Sequence, residues 1–231
     1  MLAVSIQLAQ NAAMIPLDDN GYFITGSDTD VGKTYIACQI VRQLVRQGVR
    51  VETRKPVESG CVVSANGDLV PHDALALQEA NDNRESIERI AAHRYRAALA
   101  PPRAARLENE EIRIELLIDA CERNQPEHCL IVEGAGGFYS PLAENGLNAD
   151  LASSLQLPVV IVVNDRIGAV NQALMTIQAV ESRQLRVAAI VLNQIEPITD
   201  AAMDNATDLQ AHCNHALFCC AHGDSMPRLF E

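Results

Sequence analysis

The densest run of chemically capable residues is Gly26-Ser27-Asp28-Thr29-Asp30-Val31-Gly32-Lys33-Thr34, which follows the apolar stretch Tyr22–Thr25 and opens an amphipathic segment. A loop of this kind suits a phosphate chain. Its backbone N–H groups and the helix N-terminus behind it point at phosphate oxygens, Lys33 meets the charge of the terminal phosphates, and the Thr34 hydroxyl joins the shell of a Mg²⁺ ion. Asp30, Val31, Gly32, Lys33, Thr34 and Tyr35 are read as the nucleotide cradle. Five residues separate Gly26 from Gly32, so Ser27 stands where the simplest form of the motif has its first glycine. That spacing marks a subclass of phosphate loop.

Such a loop needs an acidic partner for its metal, usually at the end of another strand of the same sheet. Glu133 fits that place: it ends Cys129–Val132 and precedes Gly134-Ala135-Gly136-Gly137, where absent side chains let a ligand approach the backbone. A plain turn after a strand reads the same way. Asp73, in His72-Asp73-Ala74-Leu75-Ala76-Leu77, is on its own a helix cap or first-turn acid. Lys55, in Arg54-Lys55-Pro56-Val57-Glu58-Ser59-Gly60, puts a cation near the carboxyl edge of the sheet, where open α/β folds bind ligands; a solvated strand-end lysine is the alternative.

The elements that must position these residues follow from periodicity. Strands are expected at Tyr22–Thr25, Val49–Arg54, Cys129–Glu133, Val159–Val163 and Ala188–Asn193, and helices at Lys33–Gln47, Glu111–Asn124, Val170–Gln184 and Thr199–His212. The alternation predicts an α/β chain with three layers, a mainly parallel sheet flanked by helices. The continuous run Val159-Val160-Ile161-Val162-Val163 suits a strand buried on both faces. Residues 60–110 are the least regular part, expected to hold loops and short helices. No repeat or long linker divides the 231 residues, so residues 1–20 are read as a loose or helical extension and 21–231 as one domain.

The formal charge of -12 argues against nucleic acid or an anionic membrane as partner, because both require a basic face. The first twenty residues carry no Lys or Arg ahead of their apolar stretch, which speaks against a secretory signal and for a cytoplasmic protein. Seven scattered cysteines suit reduced thiols. Cys213, His215, Cys219, Cys220 and His222 crowd together, but their spacing matches no common zinc pattern, and packing or loop roles are the reading taken.

Taken together and in order, Gly26–Thr34 behind its strand, Lys55–Gly60, Asp73–Leu77 and Val132–Gly137 resemble the dethiobiotin synthetase family of P-loop proteins, over roughly Tyr22 to Asn193. The resemblance implies a cyclo-ligase of biotin biosynthesis. In that reaction 7,8-diaminononanoate takes up CO₂ as a carbamate, ATP converts it to a carbamic-phosphoric anhydride, and the second amine closes a cyclic urea. It further implies that Thr34, Asp73 and Glu133 hold Mg²⁺; that Thr29, Lys33, Lys55 and Ser59 face the reacting groups; and that Glu133, Gly136 and Asn193 line the nucleotide, Asn193 at adenine. Gly168, Val170 and Asn171 would bind the substrate carboxylate from the neighbouring subunit of a homodimer with shared sites, although a capping role alone also suits Asn171. The sequence departs from the family pattern at Asp30, where many relatives carry Glu, and at Arg103, where a histidine is expected. In Gly223-Asp224-Ser225-Met226-Pro227 one residue is added to the usual Gly-x-x-Pro. Two other readings belong to the same P-loop group. One is a cobyrinic-acid-type ligase, which needs a glutamine-hydrolysing domain; the other is a partition or septum-site nucleotide switch, whose loop carries an early lysine where this chain has Asp28.

Overall fold

The structure, a computed structural model, describes residues 14–230 apart from 16, 19, 198, 199 and 201. Six strands, β1 (Gly21–Gly26), β2 (Val51–Arg54), β3 (Cys129–Gly137), β4 (Val159–Asn164), β5 (Val187–Asn193) and β6 (Leu217–Cys220), form a sheet in the order β6-β5-β4-β1-β3-β2. Every pairing in it is parallel. The helices are α1 (Lys33–Arg46), α2 (His72–Ala80), α3 (Ile87–Ile90), α4 (Pro101–Leu107), α5 (Ile114–Ala120), α6 (Asn148–Leu155), α7 (Ala169–Ser182) and α8 (Asn205–Gln210).

The period of two along buried strands explains the three layers. Val159, Ile161 and Val163 pack with residues of α4 to α8 on one face, whereas Val160 and Val162 pack with α1, α2 and α3 on the other. Burying β-branched side chains on both sides is what a parallel sheet covered by helices requires.

The structure departs from the periodicity where backbone groups find partners far away in sequence. The segment expected to be helical over Glu111–Asn124 is helical only as α5, because the amides of Asn124 and Gln125 turn away to donate to Glu52 at 2.9–3.1 Å. The last expected helix shrinks to α8, capped by Asp204, whose carboxylate accepts from the Thr207 amide; Thr199 itself lies outside the described residues. β2 begins at Val51 because the Val49 amide still closes the end of α1 on the Leu44 carbonyl. β3 runs past Glu133 to Gly137, where a turn was the alternative.

β6 was read as packing or loop. It pairs Ile190–Asn193 of β5 with Leu217–Cys220, too short a run for alternation to reveal. Cys219 packs towards one layer and Cys220 is buried in the other, so the two thiols cannot share an ion. Among the described residues no group of three or more His, Cys, Asp or Glu is arranged to hold a metal. The region 60–110 holds α2, α3 and α4, together with the antiparallel pair Val62–Val63 and Leu69–Val70.

Part of the N-terminal extension joins the core. The buried Ile15 donates its N–H to the Leu229 carbonyl and bridges to Phe230, whose ring lies 5.3 Å from that of Tyr22. Among the described residues no helix is long and apolar enough to cross a membrane.

Candidate active site

A cleft of about 680 Å³ opens at the carboxyl ends of β1, β2, β3 and β5, the edge where open α/β sheets bind their ligands. Thr29, Asp30, Gly32, Lys33, Thr34 and Tyr35 line it, and so do Lys55, Ser59, Asp73, Glu133, Gly136 and Asn193. Residues scattered over more than 160 positions of sequence thus line one cleft. Val31 instead turns its side chain into the core and offers its carbonyl to Asn193 Nδ2 at 3.0 Å. Gly168, Val170 and Asn171 stand apart from this cleft, at the start of α7.

The loop from β1 to α1 takes its shape from a left-handed turn at Asp30 (φ 55°) and Gly32 (φ 85°). A Cβ at Gly32 would lie 2.2 Å from Asn193 Nδ2, so glycine suits both the left-handed conformation and the close approach of the Asn193 side chain. No side chain caps α1, which leaves its first-turn amides for an anion. Lys33 is nearly buried and donates from Nζ to the Asp28 carbonyl at 3.0 Å, which folds its ammonium back over the loop. Burial, and after it the neighbouring Lys55, lowers the Lys33 pKa below the usual lysine range.

Lys55 is the centre of the charge arrangement. Its buried Nζ lies 2.6 Å from Glu133 Oε1 and 2.8 Å from Asp73 Oδ2, and it also donates to the Gly134 carbonyl at 3.2 Å. A lone buried ammonium costs several kcal/mol, on the order estimated for ions moved out of water. Here burial alone would depress the pKa, but Glu133 and Asp73 outweigh it and raise it, so Lys55 remains a cation. The Glu133 pKa is also raised, chiefly by its own burial. Burial also pushes Asp73 up, yet Lys55 and the Thr34 hydroxyl hold it below the usual carboxylate range.

Hard oxygen donors therefore meet where a phosphate-bound Mg²⁺ belongs. Thr34 Oγ1 donates to Glu133 Oε1 at 2.7 Å, Asp73 borders the same space, and the buried Glu133 Oε2 has no hydrogen-bond partner. An orphaned, buried carboxylate oxygen beside a hydroxyl and a second carboxylate fits that ion.

Two residues that sequence reading did not assign to the site help to build it. Asn148, fully buried at the start of α6, accepts from the Ala135 amide and donates to the Ala135 and Gly137 carbonyls at 2.5–3.0 Å, holding the glycine-rich end of β3 in one conformation. Glu58, read only as part of the Lys55–Gly60 motif, lines the cleft with its carboxylate on the amides of Asp73 and Ala74. At the far end, Gln194, Ala221, His222 and Gly223 close the cleft, and Tyr35 donates its hydroxyl to the Asp224 carbonyl at 2.7 Å.

A parallel sheet whose first strand feeds an uncapped helix through a phosphate loop, with a lysine and paired carboxylates at the same edge, defines a P-loop nucleotide-binding protein. In keeping with this, the structure resembles the cell division protein FtsY of Thermotoga maritima, with a TM-score of 0.52 at 10% identity over 98% of this chain and 71% of that one. A family model described as AAA domain matches residues 20–221. The ATP-dependent dethiobiotin synthetase of Ruthia magnifica subsp. Calyptogena magnifica is 41% identical over 77% of this chain and 81% of its own. That of Anaeromyxobacter dehalogenans strain 2CP-1 is 40% identical over 82% of this chain and 83% of its own. The chain belongs to the ATP-dependent dethiobiotin synthetase family.

Proposed function

We propose that this chain closes the cyclic urea of dethiobiotin from 7,8-diaminononanoate, CO₂ and ATP, with release of ADP and phosphate. The observation that carries the reading is the meeting of Lys33, Lys55, Asp73 and Glu133 in one cleft beside the phosphate loop. The reaction brings an anionic carbamate to an anionic phosphate, and that approach needs fixed positive charge. A carbamate oxygen attacks the γ-phosphorus as the bond to ADP breaks; the free amine then attacks the carbamate carbon, loses a proton and expels phosphate.

Lys33 neutralises the terminal phosphates and Lys55 lies between phosphate and carbamate. Because its carboxylate neighbours keep Lys55 protonated, it acts as an electrostatic clamp and not as a base. Thr29 and Ser59 orient the carbamate by their hydroxyls. Asp30 to Tyr35, Gly136 and Asn193 hold the nucleotide, with Asn193 at the base. Thr34, Asp73 and Glu133 would hold Mg²⁺, which when bound offsets charge on the phosphate oxygens.

Gly168, Val170 and Asn171 take the substrate carboxylate in the cleft of a second copy, at the amino end of α7. Their separation from their own cleft supports that reading, as do the exposed Ile167 and Met175 beside them, at 83% and 64%. The working unit is then a cytoplasmic homodimer, each chain contributing residues 21–231 as one domain.

The test is phosphate release from MgATP with the diamine and bicarbonate, each omitted in turn, with mass detection of dethiobiotin. The reading requires phosphate and dethiobiotin to appear together only in the complete mixture. ATP hydrolysis indifferent to the diamine would overturn it.

A further inference from the structure

Helix α2 begins without a cap of its own. Pro71 occupies the cap position and offers no side-chain acceptor, yet the next residues include Asp73, which reaches Lys55 and the metal-facing wall of the cleft. A helix start left bare exposes N–H groups that a cap residue ordinarily takes at its second and third positions, Asp73 and Ala74 here. Glu58 takes both from fifteen and sixteen residues away: Oε1 accepts from the Asp73 amide and Oε2 from the Ala74 amide, each at 3.0 Å. Glu58 is almost completely buried, so these are its chief means of replacing lost water.

The four-residue stretch Lys55–Glu58 therefore grips Asp73 at both ends. Lys55 holds the carboxylate at 2.8 Å and Glu58 holds the backbone amide. Placing Glu58 beside Asp73 sets two carboxylates close together. An exposed surface residue would avoid that contact, whereas here the amides and the positive end of α2 compensate it. Val57, Glu58 and Ser59 are in turn fixed by parallel pairing with His93–Tyr95, so the grip rests on a rigid segment.

We propose that Glu58 is a positioning residue for the metal-nucleotide site: it caps α2 from a distance and so fixes the direction from which the Asp73 carboxylate meets the cation. The inference rests on the reading of Asp73 as a metal ligand and extends it to a residue that itself touches neither metal nor substrate. Glutamate has one carbon more than aspartate, so Glu58→Asp withdraws the carboxylate from the amides; Glu58→Gln keeps one acceptor; Glu58→Ala keeps none.

The test is Mn²⁺ binding to the full chain with ADP, read from the electron paramagnetic resonance of free Mn²⁺, which needs no turnover. Loss of a cap worth ~1 kcal/mol predicts a weakening of Mn²⁺ binding of about five- to tenfold in Glu58→Ala. Glu58→Gln should fall between Glu58→Ala and the unmodified protein, and binding of metal-free ADP should not change. In an Asp73→Asn background Glu58→Ala should add little, because both act through one carboxylate. Unaltered Mn²⁺ binding in folded Glu58→Ala, or a full additional loss in the Asp73→Asn background, overturns the proposal. Should Glu58→Ala not fold, the same criteria apply to Glu58→Gln. If Asp73→Asn itself leaves Mn²⁺ binding intact, the assignment of Asp73 is what fails, and the role of Glu58 fails with it; if only Asp73→Asn weakens binding, the Glu58 proposal alone falls.

Discussion

Replacing Glu133 by Gln separates what its charge does from what its shape does. The side chain is 1% exposed; Oε1 accepts from Lys55 at 2.6 Å and from Thr34 at 2.7 Å, and Oε2 is buried without a partner. An amide of the same size keeps its oxygen on Lys55 and Thr34 and puts an NH₂ group where the free oxygen was. For stability, removing one member of a buried ion pair outright costs about 3–5 kcal/mol. Here Lys55 keeps Asp73 at 2.8 Å, and the hydrogen bonds to it survive in neutral form. A loss of about 1–2 kcal/mol remains, which for a chain of this length lowers Tm by roughly 2–8 °C. For the metal the change is larger, since a donor replaces an anionic acceptor in the cation's space. Disturbing a mere supporting partner of a metal ligand costs about 10–100-fold in affinity, so the Mg²⁺ concentration for half-maximal turnover should rise about 100-fold or more. Phosphate release titrated against Mg²⁺, beside a thermal melt, reads both numbers. An unchanged Mg²⁺ titration at full turnover would refute the assignment of Glu133, and a Tm drop beyond that range would show that Lys55 depends on Glu133 far more than on Asp73.

Gly32→Ala should weaken nucleotide binding by about 5- to 150-fold, measured by calorimetry with MgADP, because the added Cβ meets Asn193 Nδ2 at 2.2 Å in a left-handed backbone; a strain of about 1–3 kcal/mol is expected there, and normal affinity would refute the loop geometry. Burial pushes the Glu52 carboxyl up, but the amides of Asn124 and Gln125 and the buried Arg54 at 2.6 Å outweigh it and hold its pKa below the usual range. A depressed carboxylate stabilises the fold fully above its unfolded pKa of about 4.3 and loses that contribution as pH falls through the lower folded value. Glu52→Gln should therefore destabilise the protein at neutral pH by about 2–4 kcal/mol and flatten the acid limb of a Tm-against-pH profile; an unchanged limb would count against it. Asn171→Ala should raise KM for the diamine with KM for ATP untouched, and Ile167→Glu should shift sedimentation from dimer to monomer with loss of turnover; a fully active monomer would sink the shared site.

What could be read from sequence and what could not divide along one physical line. The phosphate loop was legible because its parts are consecutive: a strand, two glycines at fixed distance, a lysine and a hydroxyl at a helix start. Glu133 was legible in type, as a carboxylate at a strand end before glycines, but that β3 continues through those glycines depends on Asn148, thirteen residues from Ala135. The overlong helix over Glu111–Asn124 fails for the same reason, since its amides prefer Glu52, some seventy residues away. β6 was invisible because four residues carry too little periodicity, and its partner β5 decides its state.

Arg54 and Lys55 are the sharpest case, two adjacent cations of equal charge. Along a strand, neighbours face opposite sides. Arg54 points with Glu52 into a buried cluster that also holds Glu85 at 2.5 Å, with no exposure at all. Lys55 points to Asp73 and Glu133 in the cleft. Alternation predicts that the two separate, yet which side carries chemistry depends on where α2 and β3 bring their carboxylates. Moving the lysine back by one position, as in Arg54→Lys with Lys55→Arg, would keep net charge and composition while placing the branched, forked guanidinium between Asp73 and Glu133. A guanidinium also pairs with carboxylates but is larger than the ammonium it replaces between Asp73 and Glu133, so this exchange should lose turnover in a phosphate-release assay, and full turnover would refute the reasoning.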